Sequence, residues 1–234
     1  MWSASLLFTL PLSLALTLLF AMRTRRISAR TRHKILYTLL CFFVFSEILK
    51  HLLALRTGTH TAMYYPFHYS TTYYFSIALY LSENRRMRHF GACTLYVGGS
   101  LLFLCMILAP RAIVGDTAQL FADWFRVHSF FYHVFVLFVF FVMLFNHDYT
   151  PRPTDVWRYL AFLLFWSFFA LPAAHVFGAN YAGLLSSFIG VLEAFRLRYG
   201  NALYLGLYLV LALAFASLSI GIYCALRKKH PSGH

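Results

Sequence analysis

Charge of either sign is scarce in this chain, and acid especially so. Seven Asp and Glu stand against 20 Lys and Arg among 234 residues, and only 12% of positions are charged. With 61% hydrophobic residues and a mean hydropathy of +0.67, a soluble domain would expose large apolar patches, so the composition excludes that class. Cysteine is rare too. Cys41, Cys93, Cys105 and Cys224 all lie inside apolar segments, with no CxxC and no spaced Cys/His pairing. That excludes a disulfide framework and a zinc module, and leaves four small core hydrophobes. The chain also lacks internal repeats, low-complexity linkers and composition breaks, so residues 1–234 are expected to form a single integral membrane domain.

What is abundant fits a bilayer. The 26 Phe and 16 Tyr suit lipid-facing surfaces and interfacial belts. A formal charge of +13 would suggest nucleic acid in a soluble protein. Here the basic residues fall in short clusters between apolar runs, so membrane topology and anionic headgroups account for them and no nucleic-acid partner is expected. A helical crossing needs about 20 apolar residues. Seven segments qualify, at roughly 4–22, 35–55, 63–81, 91–109, 127–146, 157–177 and 203–226. The first carries its basic residues (Arg23, Arg25, Arg26) after the apolar run, unlike a cleavable signal peptide, and is expected to stay as a first helix with its N-terminus outside.

The loops agree with that orientation. Arg23, Arg25, Arg26, Arg30, Arg32 and Lys34 fill the first, Arg85, Arg86 and Arg88 the third, and Arg227, Lys228 and Lys229 the tail. The positive-inside rule then predicts an N-out, C-in protein. The fold class is all-α: a polytopic membrane protein of about seven helices. Interfacial helices are predicted between spans four and five (Ala118–Arg126) and between spans six and seven (Ala182–Tyr199), where apolar and charged residues mix.

Ionisable residues gather at one depth. Counting 1.5 Å per residue from the outer ends, His68 lies ~8 Å, His133 ~9 Å and Glu47 ~12 Å into the membrane. His51, His175 and Asn180 lie at the outer ends of spans two and six. The inner half offers no comparable set. Intramembrane Glu and His are functional candidates by default, facing one another or a wet cavity. Each has a plainer alternative. Glu47 could neutralise Lys50 and His51 one turn away, His175 could cap its helix, and His128 is expected to face water near the interface. Helical spacing puts Ser129 and Arg126 on the His133 face, and Tyr64, Thr71 and Thr72 on the His68 face. Ser70 points elsewhere. A hydroxyl polarised by a histidine would be a nucleophile for acyl transfer or ester hydrolysis; two histidines could instead act as base and electrophilic donor. Pro66 frees a carbonyl and helps to open a local cavity.

The order of several motifs is familiar. Glu47, YPFHYS around His68, NRRMRHFGACTLYVGGSLLFLCMILAP, RVHSFFYH ending in His133, DYTPRP and GANY follow one another along the chain. Over nearly its whole length the chain resembles the YwaF-like integral membrane family, which also contains an animal transmembrane lipid acyltransferase. The resemblance implies a fold like that of small intramembrane lipid hydrolases, with His133 and His68 as the family histidines. The animal acyltransferase has Pro-Cys-His where this chain has Pro66-Phe67-His68; bacterial relatives have Pro-Leu-His-Leu-Cys, which puts Ser70 at the cysteine.

The expected function is an intramembrane acyltransferase or lipid-ester hydrolase. His133 would be the base, His68 the second polar catalyst and Ser70 a nucleophile. Glu47, Ser129, Arg126, His175, Asn180 and Tyr181 would support the site or bind substrate. Phospholipids or fatty-acyl lipids are the expected partners, with no metal and no cofactor. A non-enzymatic lipid binder or transporter is the alternative. A metal-dependent amidase ranks lowest, since no HxxxH pair occurs and His128 and His133 are five apart. Compact loops and the resemblance point to a bacterial cytoplasmic membrane.

Overall fold

The computed structural model describes residues 4–115, 117–122, 124–187 and 189–229. Among them every regular element is helical, and six helices are long and apolar enough to cross a membrane. In chain order they are α1 (Ala4–Arg23), α2 (Ala29–Thr57), α3 (Thr72–Tyr80), α4 (Arg85–Leu108), α5 (Pro110–Val114), α6 (Trp124–Phe145), α7 (Asp155–Phe177), α8 (Gly190–Tyr199) and α9 (Asn201–Lys229). All but α3, α5 and α8 are of membrane length. The protein is thus a polytopic all-α membrane protein. Side-chain caps and a left-handed glycine set several boundaries. Ser28 accepts from the Thr31 N–H at the start of α2, Asn84 from Arg86 and Met87 at the start of α4, and Gly58 closes α2 at φ 66°.

The expected third span is not one helix. Residues 61–71 form two short 3₁₀ turns joined by a further turn at Pro66–Phe67, and only nine residues of α3 follow. Pro66 is the reason: it cannot donate a backbone hydrogen bond, and it pushes Tyr65 into extended geometry at φ −62°, ψ 145°. The His68 depth inferred from helical rise therefore does not hold. The interfacial element between spans four and five also differs. The helix there is α5, starting on Pro110, while Thr117–Gln119 makes a 3₁₀ turn and Trp124 already begins α6; Asp123 lies outside the described residues. Between spans six and seven, only Gly190–Tyr199 of the expected Ala182–Tyr199 element is helical (α8); a 3₁₀ turn at Tyr181–Gly183 and irregular backbone precede it.

The chain divides into two compact units. The first comprises Met1–His60 and Tyr73–Tyr149. Its most buried membrane-length helix is α6, which packs against α1, α2, α4 and α5. Phe43 stacks on Phe135, and Glu47 reaches His128, so α2 and α6 run antiparallel. His89 meets Tyr149, just past the end of α6, and Phe103 meets Phe141 further back on α6, so α4 also opposes α6. Then α3 runs back along α4: Tyr73 donates to the Gly98 carbonyl at 2.7 Å, and Thr94 to Ser76 at 3.0 Å. Since α2 and α4 point the same way, the chain must return between them, and α3 forms part of that return.

The second unit comprises Thr61–Thr72 and Thr150–His234. Leu163, Trp166 and Ala170 of α7 share a core with Leu184, packed by Leu205, Leu209 and Ala212 of α9. Toward the other end of α9, Cys224 approaches the Pro151 carbonyl just before α7, so the two helices are antiparallel.

Candidate functional site

Glu47 is the hub of the first unit. Its Oε1 lies 2.6 Å from Lys50 Nζ and 3.3 Å from His51 Nε2, one turn along α2. The plain local reading of those two contacts is therefore satisfied. The carboxylate also reaches across helices: Oε2 lies 3.3 Å from His128 Nε2 on α6, and the Tyr74 hydroxyl of α3 approaches it at 3.5 Å. His51 passes the chain outward, its Nδ1 3.3 Å from His60 Nε2. Lys50 is only 8% exposed, and its ammonium lies 5.2 Å from the Phe125 ring centroid. Ion pairing within the cluster offsets the cost of placing it in an apolar helical layer, although the buried His128 Nε2, 3.3 Å from Glu47, makes no hydrogen bond.

His128 corrects the sequence reading. It is 5% exposed and faces Glu47, not water. Tyr132, one turn on, stacks against both His128 and Tyr74, and Phe43, one turn from Glu47, packs on Tyr132 and Phe135. The signal was present as two facing pairs at helical spacing, Phe43/Glu47 and His128/Tyr132, but nothing in the sequence says that the two helices are neighbours.

His133 lies one residue beyond Tyr132 and is 8% exposed. Its Nδ1 sits 2.7 Å from the Ser129 carbonyl, so the contribution of Ser129 is its backbone oxygen. A carbonyl only accepts, so Nδ1 carries the hydrogen, and a neutral ring then keeps its lone pair on Nε2. Arg126, on the first turn of α6, donates to the Gln119 side chain.

In the second unit, His68 is not on a helix but caps a 3₁₀ turn at φ −69°, ψ 146°. Its Nε2 donates to the Met63 carbonyl at 3.1 Å, and its ring meets Tyr181 edge-on at 5.2 Å. Ser70 lies within that turn. Thr71 is not a helix-face neighbour of His68; its hydroxyl bonds the Pro66 and His68 carbonyls at 2.9 and 2.6 Å, satisfying the broken backbone. Tyr181 is buried and donates to the Ala62 carbonyl at 2.7 Å, pinning the same loop. Asn180 uses its whole amide on the following turn: it accepts from Leu185 and Ser186 and donates to Ser186. His175 is exposed in the last turn of α7, a favourable position for a cation. On α8, Arg196 pairs with Glu193, which also accepts the Ser187 N–H at 2.7 Å. These donors hold the Glu193 carboxyl down at about 2, from an ordinary value of 4.5, and the carboxylate in turn raises the Arg196 guanidinium.

The opposite end of the first unit, where α2 begins and α6 ends, holds a polar network that the sequence reading did not anticipate. Arg32 donates to Asn146 at 2.8 Å and pairs with Asp148 at 3.2 Å; Tyr80 donates to Asp148 at 2.8 Å, and Asn146 to Thr24 at 2.9 Å. Among the described residues, no group of three His, Cys, Asp or Glu side chains is placed to hold a metal ion.

The TMEM164 family profile matches residues 1–222. The chain belongs to the TMEM164 family. No curated protein and no solved structure matches it. Membership agrees with the polytopic helical fold and gives this TMEM164-family chain a membrane setting, in which the half-buried Glu47 and the buried His128 and His133 have to be explained.

Proposed function

We propose that this TMEM164-family protein is a membrane-embedded lipid-modifying enzyme that transfers or hydrolyses the acyl ester of a phospholipid or fatty-acyl lipid. One observation carries the reading: the buried His133 ring, with Nδ1 held 2.7 Å from the Ser129 carbonyl, so that Nε2 keeps the basic lone pair. In the reaction, Nε2 takes the proton of an attacking hydroxyl while its oxygen bonds to the ester carbonyl carbon. The ring then returns that proton to the departing oxygen as the old C–O bond breaks. Water as the attacking group gives hydrolysis; a second lipid's hydroxyl gives transfer. Glu47 faces His128 on the helix that carries His133 and adds polar character to that layer. The resemblance to YwaF-like sequences adds lipid-ester chemistry to the expectation.

The test is acyl release or transfer from labelled phospholipid by the full chain in liposomes, read by mass spectrometry. Replacing His133 by Gln is expected to cut turnover by about 100-fold or more, with elution volume and helicity unchanged. Ser70→Ala separates the routes: retained turnover fits direct attack by the hydroxyl of water or lipid, while loss with trapped acyl enzyme in the parent fits a Ser70 intermediate. A wild-type protein that binds lipid but yields no acyl product overturns the enzymatic reading in favour of a lipid binder.

A further inference from the structure

The proposed acyl chemistry makes no use of a cleft of about 330 Å³ at the basic end of the first unit. Leu36 and Leu81 form apolar wall, and Arg32, His33, Arg88 and Asp148 bring the charged and titratable groups. The acid there is already engaged. Asp148 Oδ1 faces Arg32 at 3.2 Å and Oδ2 takes the Tyr80 hydroxyl at 2.8 Å, while the other Arg32 amino group serves Asn146. Two guanidinium groups against one carboxylate leave net positive charge in the cleft before His33 is counted. Arg88 has no ion-pair partner among the described residues and sits on the exposed first turn of α4. Around this end the chain also carries Arg23, Arg25, Arg26, Arg30, Arg85 and Arg86, which raise the local concentration of anions.

We propose that this cleft binds a phosphate-bearing anion. Arg88 and the Arg32 edge would grip the phosphate oxygens, and the Leu36/Leu81 wall would cover its organic part. The fork of guanidinium donors matches tetrahedral phosphate oxygens, and the cavity volume is that of a small-molecule site. The source is a phospholipid headgroup or a soluble phosphoester. The inference is independent of the acyl chemistry, and its test reads binding alone.

Native mass spectrometry of the full chain, with phosphatidate or phosphatidylcholine added, tests it. Phosphatidate is expected to be retained preferentially, and Arg88→Gln to lower its affinity by about tenfold or more, the scale of one charge-assisted hydrogen bond. Arg85→Gln removes the same charge outside the cleft and is expected to leave binding unchanged. Displacement by glycerol 3-phosphate assigns the site to the phosphoester alone; persistence of phosphatidate against it assigns the site to an intact lipid. Equal retention of the two lipids, or equal losses in the two variants, overturns the proposal. Thermal unfolding of lipid-free Arg88→Gln at the wild-type temperature shows that folding is not the cause.

Discussion

Lys50 and Glu47 show what a single pair contributes inside a membrane helix layer. Their atoms are 2.6 Å apart and both side chains are largely covered. Removing either partner deprives the other charge of this ion pair, at a cost of up to about 3–5 kcal/mol. Glu47→Leu and Lys50→Met are therefore each expected to lower the unfolding temperature in detergent, and the double variant to unfold above either single one. Additive losses would show that the pair is uncoupled. This much was legible from spacing, since Lys50 and His51 lie three and four residues after Glu47. The cross-helix partners were not. His128 reads as an interfacial residue along the chain, and only the packing of α2 on α6 turns it toward Glu47.

At the scale of elements, close approach explains why α4 tolerates glycine in its middle. A Cβ on Gly91 would lie 2.2 Å from the Tyr80 backbone nitrogen and 2.6 Å from the Ser76 carbonyl oxygen, atoms that cannot rotate away. Gly91→Ala is expected to destabilise by about 1–3 kcal/mol through overpacking of α3 on α4. Gly206, on α9, has no atom within 4 Å of such a Cβ, so Gly206→Ala is expected to be neutral or to stabilise by up to ~1 kcal/mol. Comparing thermal unfolding of the two variants checks the contrast, and equal behaviour would refute it. Helix-period hydrophobicity located the long helices because each is apolar over its own length. It overextended the third, since hydropathy records what lipid tolerates and not whether Pro66 permits the ladder.

For the whole molecule, charge asymmetry gives the orientation its test. With the native cysteines replaced, Glu83→Cys should react with an impermeant maleimide only from the cytoplasmic side, and Thr59→Cys only from the outer side. The reversed pattern would reject the N-out reading, and labelling of both from one face would reject the return of the chain between α2 and α4. Sequence alone determined the class: an all-α membrane protein with most of its basic residues at one set of helix ends. Bilayer solvation acts on each segment separately, so composition is enough to read it. Tertiary structure alone decided the partners. It joined Glu47 to His128 and Tyr74, and it gathered Arg32, Tyr80 and Asp148 from distant segments. Hydrogen bonds and ion pairs act over a few ångströms, and which side chains come that close depends on how helices pack, information that no single segment carries.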